Sequence, residues 1–268
     1  MKRVMSIQDL SCLGKCSLTV ALPVLSAMGC ACSVLPTAVL STHTAFPAPY
    51  CKALTEDMVP MAEHWASVGA VFDAITVGYL ADPAQAEAVE KVLSLFDSPV
   101  ILDPVMGDHG RLYSRQTPQH VAAMQRLCRR ASIVLPNVTE AAFLTGLPYR
   151  EKAEESYLRE LAAGLMEFGT EGALITGFLW EDGSTGFYGV HRLNGVFSYK
   201  AEQIPKHFHG TGDLFAAVFT GGLLSGKDIS RSAVLAAGFV EKVIAATAEV
   251  SPFGIEFESQ IPWLLEQI

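Results

Sequence analysis

The chain has 268 residues, of which 50% are hydrophobic and only 18% charged, with a formal charge of −9. That is enough apolar material for the core of one α/β domain of ordinary size, and no segment has the charge-rich, apolar-poor make-up of a disordered tail. An acidic chain has no general attraction for nucleic acid or an anionic membrane, so any phosphate it binds must be held locally by backbone amides, a metal ion or a few placed cations.

Taken in chain order, residues 1–7 contain too short an apolar run for a signal peptide and read as the approach to a first strand, 4–7. Residues 17–28 have helical character, stopped by Gly29; Pro23 and Ser26 interrupt the apolar run, which falls short of the ~20 residues a membrane span needs. A soluble cytoplasmic protein is expected, with no membrane or nucleic-acid partner. A strand at 32–35 precedes an amphipathic helix at 55–68, opened by Thr55 with Glu56 and Asp57 in its first turn. A strand at 74–77 ends at Gly78-Tyr79.

The alternation continues with a helix at 83–96, a strand at 100–102 ending at Asp103-Pro104, and a helix at 118–130. A strand at 133–135 ends at Pro136-Asn137. Helices at 139–145 and 151–168 and a strand at 173–176 follow. Segments 187–190 and 196–199 flank Asn194-Gly195 and read as an antiparallel hairpin at a sheet edge. Two helices rich in Ala and Gly, 211–224 and 230–249, complete the pattern. Strands alternating with helices of this length predict a mainly parallel sheet covered on both faces, in a single domain spanning 1–268.

The six cysteines, Cys12, Cys16, Cys30, Cys32, Cys51 and Cys128, form no Cys-x-x-Cys pair and read as reduced core or near-core thiols. His64, His120 and His191 have no partner pattern and read as surface or helix-face residues. Trp65, Trp180 and Trp263 read as packing residues.

Polar residues cluster just past the predicted strand ends: Asp9, Tyr79, Asp103, Asn137 and Thr176. Ligands of open α/β sheets bind at the carboxyl ends of the strands, so together they point to a site. The strongest local signal is His209-Gly210-Thr211-Gly212-Asp213, two glycines opening a helix of small and apolar residues. Free amides of the first helical turn make an anion site without lysine, and the Gly-Lys-Ser/Thr ending of a Walker loop is missing. Phosphoryl transfer needs a base on the hydroxyl, charge neutralisation and in-line positioning. Asp213 is placed to be the base, the amides of Gly210, Thr211 and Gly212 to hold the phosphoryl group, and Asp103 and Glu140 to serve magnesium. Taken singly, Asp213 is also a plain helix cap, Glu140 a first-turn acid and Asp103 a turn residue before proline.

The set Asp103-Pro104-Val105-Met106-Gly107-Asp108, Pro136-Asn137-x-x-Glu140, Leu144-Thr145-Gly146 and Gly210-Thr211-Gly212-Asp213 resembles the ribokinase-like superfamily. With Ser6-Ile7-Gln8, Ser41-Thr42-His43-Thr44 and Gly78-Tyr79, the chain looks like the pyridoxal/pyridoxamine kinases within it, from about residue 3 to residue 250. The resemblance implies a three-layer fold and ATP-dependent phosphorylation of the 5′-hydroxymethyl group of a vitamin B6 vitamer, pyridoxamine or pyridoxal. It implies Asp213 as base and Gly210, Thr211 and Gly212 as the phosphate cradle. Asn137 and Glu140 then act near the ATP phosphates and Mg2+. Asp103 and Asp108 belong to the cation and phosphate region, with Asp108 and Glu140 on the metal. Thr176 lines the nucleotide phosphate or a monovalent cation, and Tyr113 comes over the phosphates. Tyr79 packs on the pyridine ring while His43 and Thr44 meet its substituents. A homodimer is implied as well.

The chain departs from that family at three places. Asp9 stands where serine often contacts the pyridine, suiting a protonated ring nitrogen or an amine. Leu135 stands where threonine often helps bind a monovalent cation. Segment 11–17 diverges and carries Lys15, a phosphate contact or a solvated surface lysine. The alternative readings are a hydroxymethylpyrimidine kinase, against which stands the absence of a cysteine near Thr211, and a catalytically silent binding protein.

Overall fold

The computed structural model describes residues 1–206, 208–247 and 251–268. In chain order the elements are β1 (Lys2–Leu13), α1 (Leu18–Ala27), β2 (Cys30–Thr42), β3 (Cys51–Ala53), α2 (Thr55–Ser67), β4 (Ala74–Val77) and α3 (Gln85–Leu93). Next come β5 (Val100–Leu102), β6 (Gly107–Asp108), β7 (Arg111–Leu112), α4 (Pro118–Cys128), β8 (Ile133–Val134), α5 (Val138–Thr145), β9 (Lys152–Ala153) and α6 (Glu155–Met166). The chain continues through β10 (Gly172–Ile175), β11 (Leu179–Trp180), β12 (Thr185–His191), β13 (Gly195–Ala201), α7 (Thr211–Leu224) and α8 (Ile229–Ala246). A 3-10 turn, Glu258–Gln260, then leads into α9 (Ile261–Leu265). The expected end of the helix at 230–249 lies outside the described residues.

The chain divides into two compact units, Met1–Pro99 with Ile204–Ile268, and Val100–Gln203. The first holds strands in the order β4-β1-β2-β3, with β1 parallel to β2 and β4 and the short β3 antiparallel to β2. Val4 through Gln8 are all buried, as a central strand covered on both faces requires. Helix α1 packs on β1 and β2 with α7 against it and α8 against α7, while α2 packs on β2 beside α3.

The second unit holds the order β13-β12-β10-β8-β5. Here β5, β8 and β10 run parallel, and β12 and β13 form the expected antiparallel hairpin. Helices α4, α5 and α6 pack in sequence, with α6 on β10 and β12. The first unit is thus built on mainly parallel strands and the second on parallel strands extended by an antiparallel hairpin, with helices packed on each.

Several expectations need correction. Strand β1 runs to Leu13 and β2 to Thr42, so Asp9 lies inside a strand and His43 follows the longer β2 directly. The register shifts between Gln8 and Leu10, where Asp9 alone stands opposite Thr37 and Ala38. Such a bulge re-aims side chains. Helix α2 begins at Thr55, but its N-cap is Leu54 and no side chain caps it. His120 is buried, not on the surface: its Nδ1 serves the Thr117 backbone N–H in a capping box at the start of α4. The three tryptophans pack as expected, Trp65 on Phe72, Trp180 on Phe178, and Trp263 stacked on Phe239. The cysteines are free thiols, but Cys12 is exposed.

Candidate active site

The first unit carries the glycine-rich helix start. Gly210 is the N-cap of α7 with φ 89°, a left-handed conformation that glycine adopts without a Cβ penalty. An added Cβ would come within 2.2 Å of the Lys15 carbonyl oxygen, so two backbones meet here at a distance only glycine permits. No side chain caps α7, and its first-turn amides keep their anion-binding capacity. Asp213 is the third helical residue rather than the cap, which removes the plain capping role as its explanation.

Asp213 is half-buried, and burial raises its pKa to about 6. A hydrogen bond from the Ser17 backbone N–H opposes the rise, and the negative charge of Asp9 adds to it. Asp9 is itself buried and accepts from Ser17 Oγ at 2.5 Å and Ser11 Oγ at 2.9 Å. Burial pushes its carboxyl pKa upward, while the two serine hydroxyls and His43 hold it down. Ser17 has φ 49° and ψ −125°, a conformation costing a non-glycine residue on the order of 1–3 kcal/mol.

His43 is buried, and its Nε2 lies 2.7 Å from the Pro252 carbonyl oxygen. A carbonyl only accepts, so Nε2 carries the proton. The ring packs on Phe46 and His209 at centroid distances of 4.8 and 4.7 Å. Thr44 follows in the same turn, half-buried. Tyr79 is buried just past β4, and its backbone carbonyl accepts from Thr37 Oγ1 at 2.9 Å. Lys15 pairs with Glu258 at 2.7 Å and lies 5.8 Å from the Phe257 ring centroid.

The second unit gathers the other predicted residues. The Asn137 side chain accepts from Glu140 N–H at 2.9 Å, and Glu140 Oε2 accepts from Asn137 N–H at 2.8 Å, a reciprocal capping box at the start of α5. Glu140 Oε1 accepts from Met106 N–H at 3.0 Å, and Asn137 Nδ2 donates to the Gly107 carbonyl at 2.8 Å. The last two bonds tie the segment after β5, which carries Asp103 and Asp108, to the start of α5.

Thr176 bridges to Asn137, its carbonyl accepting from Val138 N–H at 2.7 Å. Tyr113 joins the same turn by donating its backbone N–H to the Met106 carbonyl at 3.0 Å. Asp108 is half-buried, with Oδ1 accepting from His109 N–H at 2.7 Å. Burial, and then the charge of Asp103, hold the Glu140 carboxyl well above the usual carboxylate range, with Asp108 adding to the rise.

Among the described residues no three His, Cys, Asp or Glu side chains are grouped to hold a metal ion. Mg2+ needs no such cage, because it commonly takes one or two carboxylates and completes its shell with phosphate oxygens and water. Each Glu140 oxygen spends one lone pair on an amide and keeps another, and a divalent cation would relieve the mutual repulsion of Glu140, Asp103 and Asp108. The acids therefore fit a cation carried in with phosphates.

Sequence reasoning missed Ser11 and Ser17, the two hydroxyls that hold Asp9. A serine immediately before the apolar run of α1 was the available signal, but it indicates a helix cap rather than a carboxylate partner.

The fold is ribokinase-like, and the chain is a kinase of that architecture. Residues 22–254 match the phosphomethylpyrimidine kinase family, and the chain belongs to it. It is 31% identical over 267 residues to a pyridoxine/pyridoxal/pyridoxamine kinase of Bordetella bronchiseptica, covering 92% of this chain and 89% of that one. A Bacteroides thetaiotaomicron protein crystallised with pyridoxal, provisionally assigned as a phosphomethylpyrimidine kinase, superimposes with a TM-score of 0.93 at 33% identity, over 99% of this chain and 96% of that one. The pyridoxal kinase of Lactobacillus plantarum superimposes with a TM-score of 0.90 at 30% identity, over 99% and 97%. No helix among the described residues is long and apolar enough to cross a membrane.

Proposed function

We propose that residues 1–268 act as one kinase domain that phosphorylates the 5′-hydroxymethyl group of a vitamin B6 vitamer, pyridoxamine or pyridoxal, at the expense of ATP, with Asp213 as general base. The observation that carries this reading is Asp213 itself. It is a carboxylate in the first turn of a glycine-opened helix, with its pKa lifted to about 6. A base in that range is mostly ionised at neutral pH yet stronger than an ordinary aspartate.

Both units carry residues with roles in this reading. In the first, Asp213 takes the proton from the attacking hydroxyl, and the amides of Gly210, Thr211 and Gly212 hold the oxygens of the migrating phosphoryl group. Tyr79 packs on the pyridine ring, and His43 and Thr44 meet its substituents. Asp9 supplies a negative charge toward a protonated ring nitrogen or an amine, which favours pyridoxamine. In the second unit, Asn137, Thr176 and Asp103 orient the nucleotide phosphates and Tyr113 covers them.

Asp108 and Glu140 are the groups for Mg2+, which when bound offsets charge on the phosphates. Leu135 supplies no hydroxyl beside Thr176 for a monovalent cation. The free thiols suit a reducing, cytoplasmic compartment, and a homodimer is the expected assembly.

The family to which the chain belongs is named for phosphomethylpyrimidine kinase, which favours hydroxymethylpyrimidine as a second candidate acceptor. Initial rates with Mg-ATP and each of pyridoxal, pyridoxamine, pyridoxine and hydroxymethylpyrimidine separate the two. The proposal expects the B6 vitamers to be phosphorylated with the higher kcat/KM, and a panel led by hydroxymethylpyrimidine would reverse it.

A further inference from the structure

We propose that the C-terminal segment 251–258 is a wall of the vitamer pocket, with the Phe253 ring presented to the substrate and the Lys15–Glu258 pair as its latch. The inference rests on the reading that His43 meets the substituents of the pyridine ring. The segment belongs to the first unit, where it crosses stretches already placed in the site. Lys15 donates its backbone N–H to the Phe253 carbonyl at 2.7 Å, and Ile255 donates to the His209 carbonyl at 3.2 Å. The Pro252 carbonyl accepts from His43 Nε2 at 2.7 Å.

Two glycines at positive φ make the crossing possible. Gly14, at φ 115°, would place a Cβ 2.9 Å from His43 Cδ2 and 3.3 Å from the Phe253 carbonyl oxygen. Gly254, at φ 98°, would place one 2.7 Å from the Lys15 carbonyl oxygen and 3.2 Å from that of His209. The Lys15 carbonyl is the same group that Gly210 approaches, so the segment, the turn before α1 and the start of α7 meet at one point.

Ile255 and Phe257 are buried and anchor the segment, while Phe253 is 44% exposed. The Phe46 ring centroid lies 4.8 Å from that of His43 and 5.6 Å from that of Phe253, so a row of rings runs from the buried histidine to the exposed phenylalanine. Such a row suits a flat heteroaromatic ring, which packs on aromatic side chains face to face or edge to face. His43 supplies the polar end of the row: its Nδ1 is buried with no hydrogen-bond partner among the described residues, and with Nε2 donating to Pro252 it is an acceptor open to a donor on that ring. The latch joins two partly exposed side chains, Lys15 Nζ to Glu258 at 2.7 Å, a kind of pair weak enough to release and re-form as substrate enters and product leaves.

The test is steady-state kinetics and calorimetric vitamer binding for the wild type, Phe253→Ala, Phe253→Tyr, Glu258→Gln and His43→Ala, at a temperature where melting curves show all of them folded. Phe253→Ala should raise KM and Kd for pyridoxal and pyridoxamine about tenfold, the scale of one ring contact, and leave KM for Mg-ATP within about twofold. Phe253→Tyr keeps the ring and should stay within about twofold of the wild type throughout. Glu258→Gln weakens the latch and should raise the vitamer KM about two- to fivefold, again with KM for Mg-ATP little changed. Wild-type vitamer affinity in Phe253→Ala, or a KM for Mg-ATP raised as much as that for the vitamers, overturns the proposal. If His43→Ala also binds both vitamers like the wild type, the ring site lies elsewhere and the reading beneath this inference fails with it. If His43→Ala weakens binding and Phe253→Ala does not, this inference fails alone.

Discussion

Replacing Gly210 with alanine tests the close approach that builds the anion site. The residue has φ 89°, and its new Cβ would lie 2.2 Å from the Lys15 carbonyl oxygen, a backbone atom that cannot rotate away. The left-handed conformation alone costs an L-residue about 1–2 kcal/mol. Forcing two packed segments apart adds roughly 1–3 kcal/mol. For a chain of this length each kcal/mol lowers the melting temperature by roughly 2 °C, so Gly210→Ala should melt roughly 4–10 °C below the wild type.

Gly226, just past the other end of α7, is the internal control. It has φ 91° and nothing within 4 Å of an added Cβ, so Gly226→Ala bears only the backbone cost and should melt roughly 2–4 °C lower. Steady-state kinetics at a temperature where both are folded completes the comparison. Gly210→Ala should lose about tenfold or more in kcat as the first-turn amides shift, and Gly226→Ala should stay within about twofold. Equal melting temperatures and equal rates for the two variants would refute the reasoning.

Two further substitutions address the acids. Asn137→Ala removes the side-chain cap of α5 and the bond to the Gly107 carbonyl while leaving its backbone N–H for Glu140; a loss of about 2 kcal/mol in thermal denaturation is expected, with a raised KM for Mg-ATP. Asp9→Ser should lower the ratio of kcat/KM for pyridoxamine over pyridoxal by about tenfold, one lost charge contact, and an unchanged ratio in a competition assay would show that Asp9 does not face the cationic group.

Much of the architecture was legible because its signals are local. Gly210-Thr211-Gly212 announces α7, which begins at Thr211 and ends at Leu224 as the pattern predicts. Asn194-Gly195 marks the hairpin of β12 and β13, and short apolar runs bounded by turn residues locate β4 and β5. The illegible parts depend on distant backbone. Strand β1 continues through Gln8-Asp9-Leu10-Ser11-Cys12-Leu13, a stretch whose polar residues read as loop, because β2 extends beside it as far as Thr42. The two-residue strands β6 and β7 are too short for any periodicity.

Site residues show the same division. Asp213, Asn137 and Glu140 stand out by their motifs and helix-start positions. What the sequence hides is who touches them. Ser17 looks like a helix cap and gives its hydroxyl to Asp9, and both Glu140 oxygens receive backbone amides from Met106 and Asn137. Those contacts are set by where the backbone passes rather than by residue type. His120, which looks like a helix-face residue, is buried for the same reason.

The account depends most on Asp213 as the base for a vitamin B6 hydroxymethyl group. Single-turnover phosphorylation of pyridoxamine and pyridoxal by Asp213→Asn with Mg-ATP, beside calorimetric binding of each vitamer, tests it directly. The account predicts transfer slowed about 10²–10⁴-fold, the usual share of a positioned general base, with vitamer affinity within a few-fold of the wild type. A variant that keeps most of the wild-type transfer rate would contradict it.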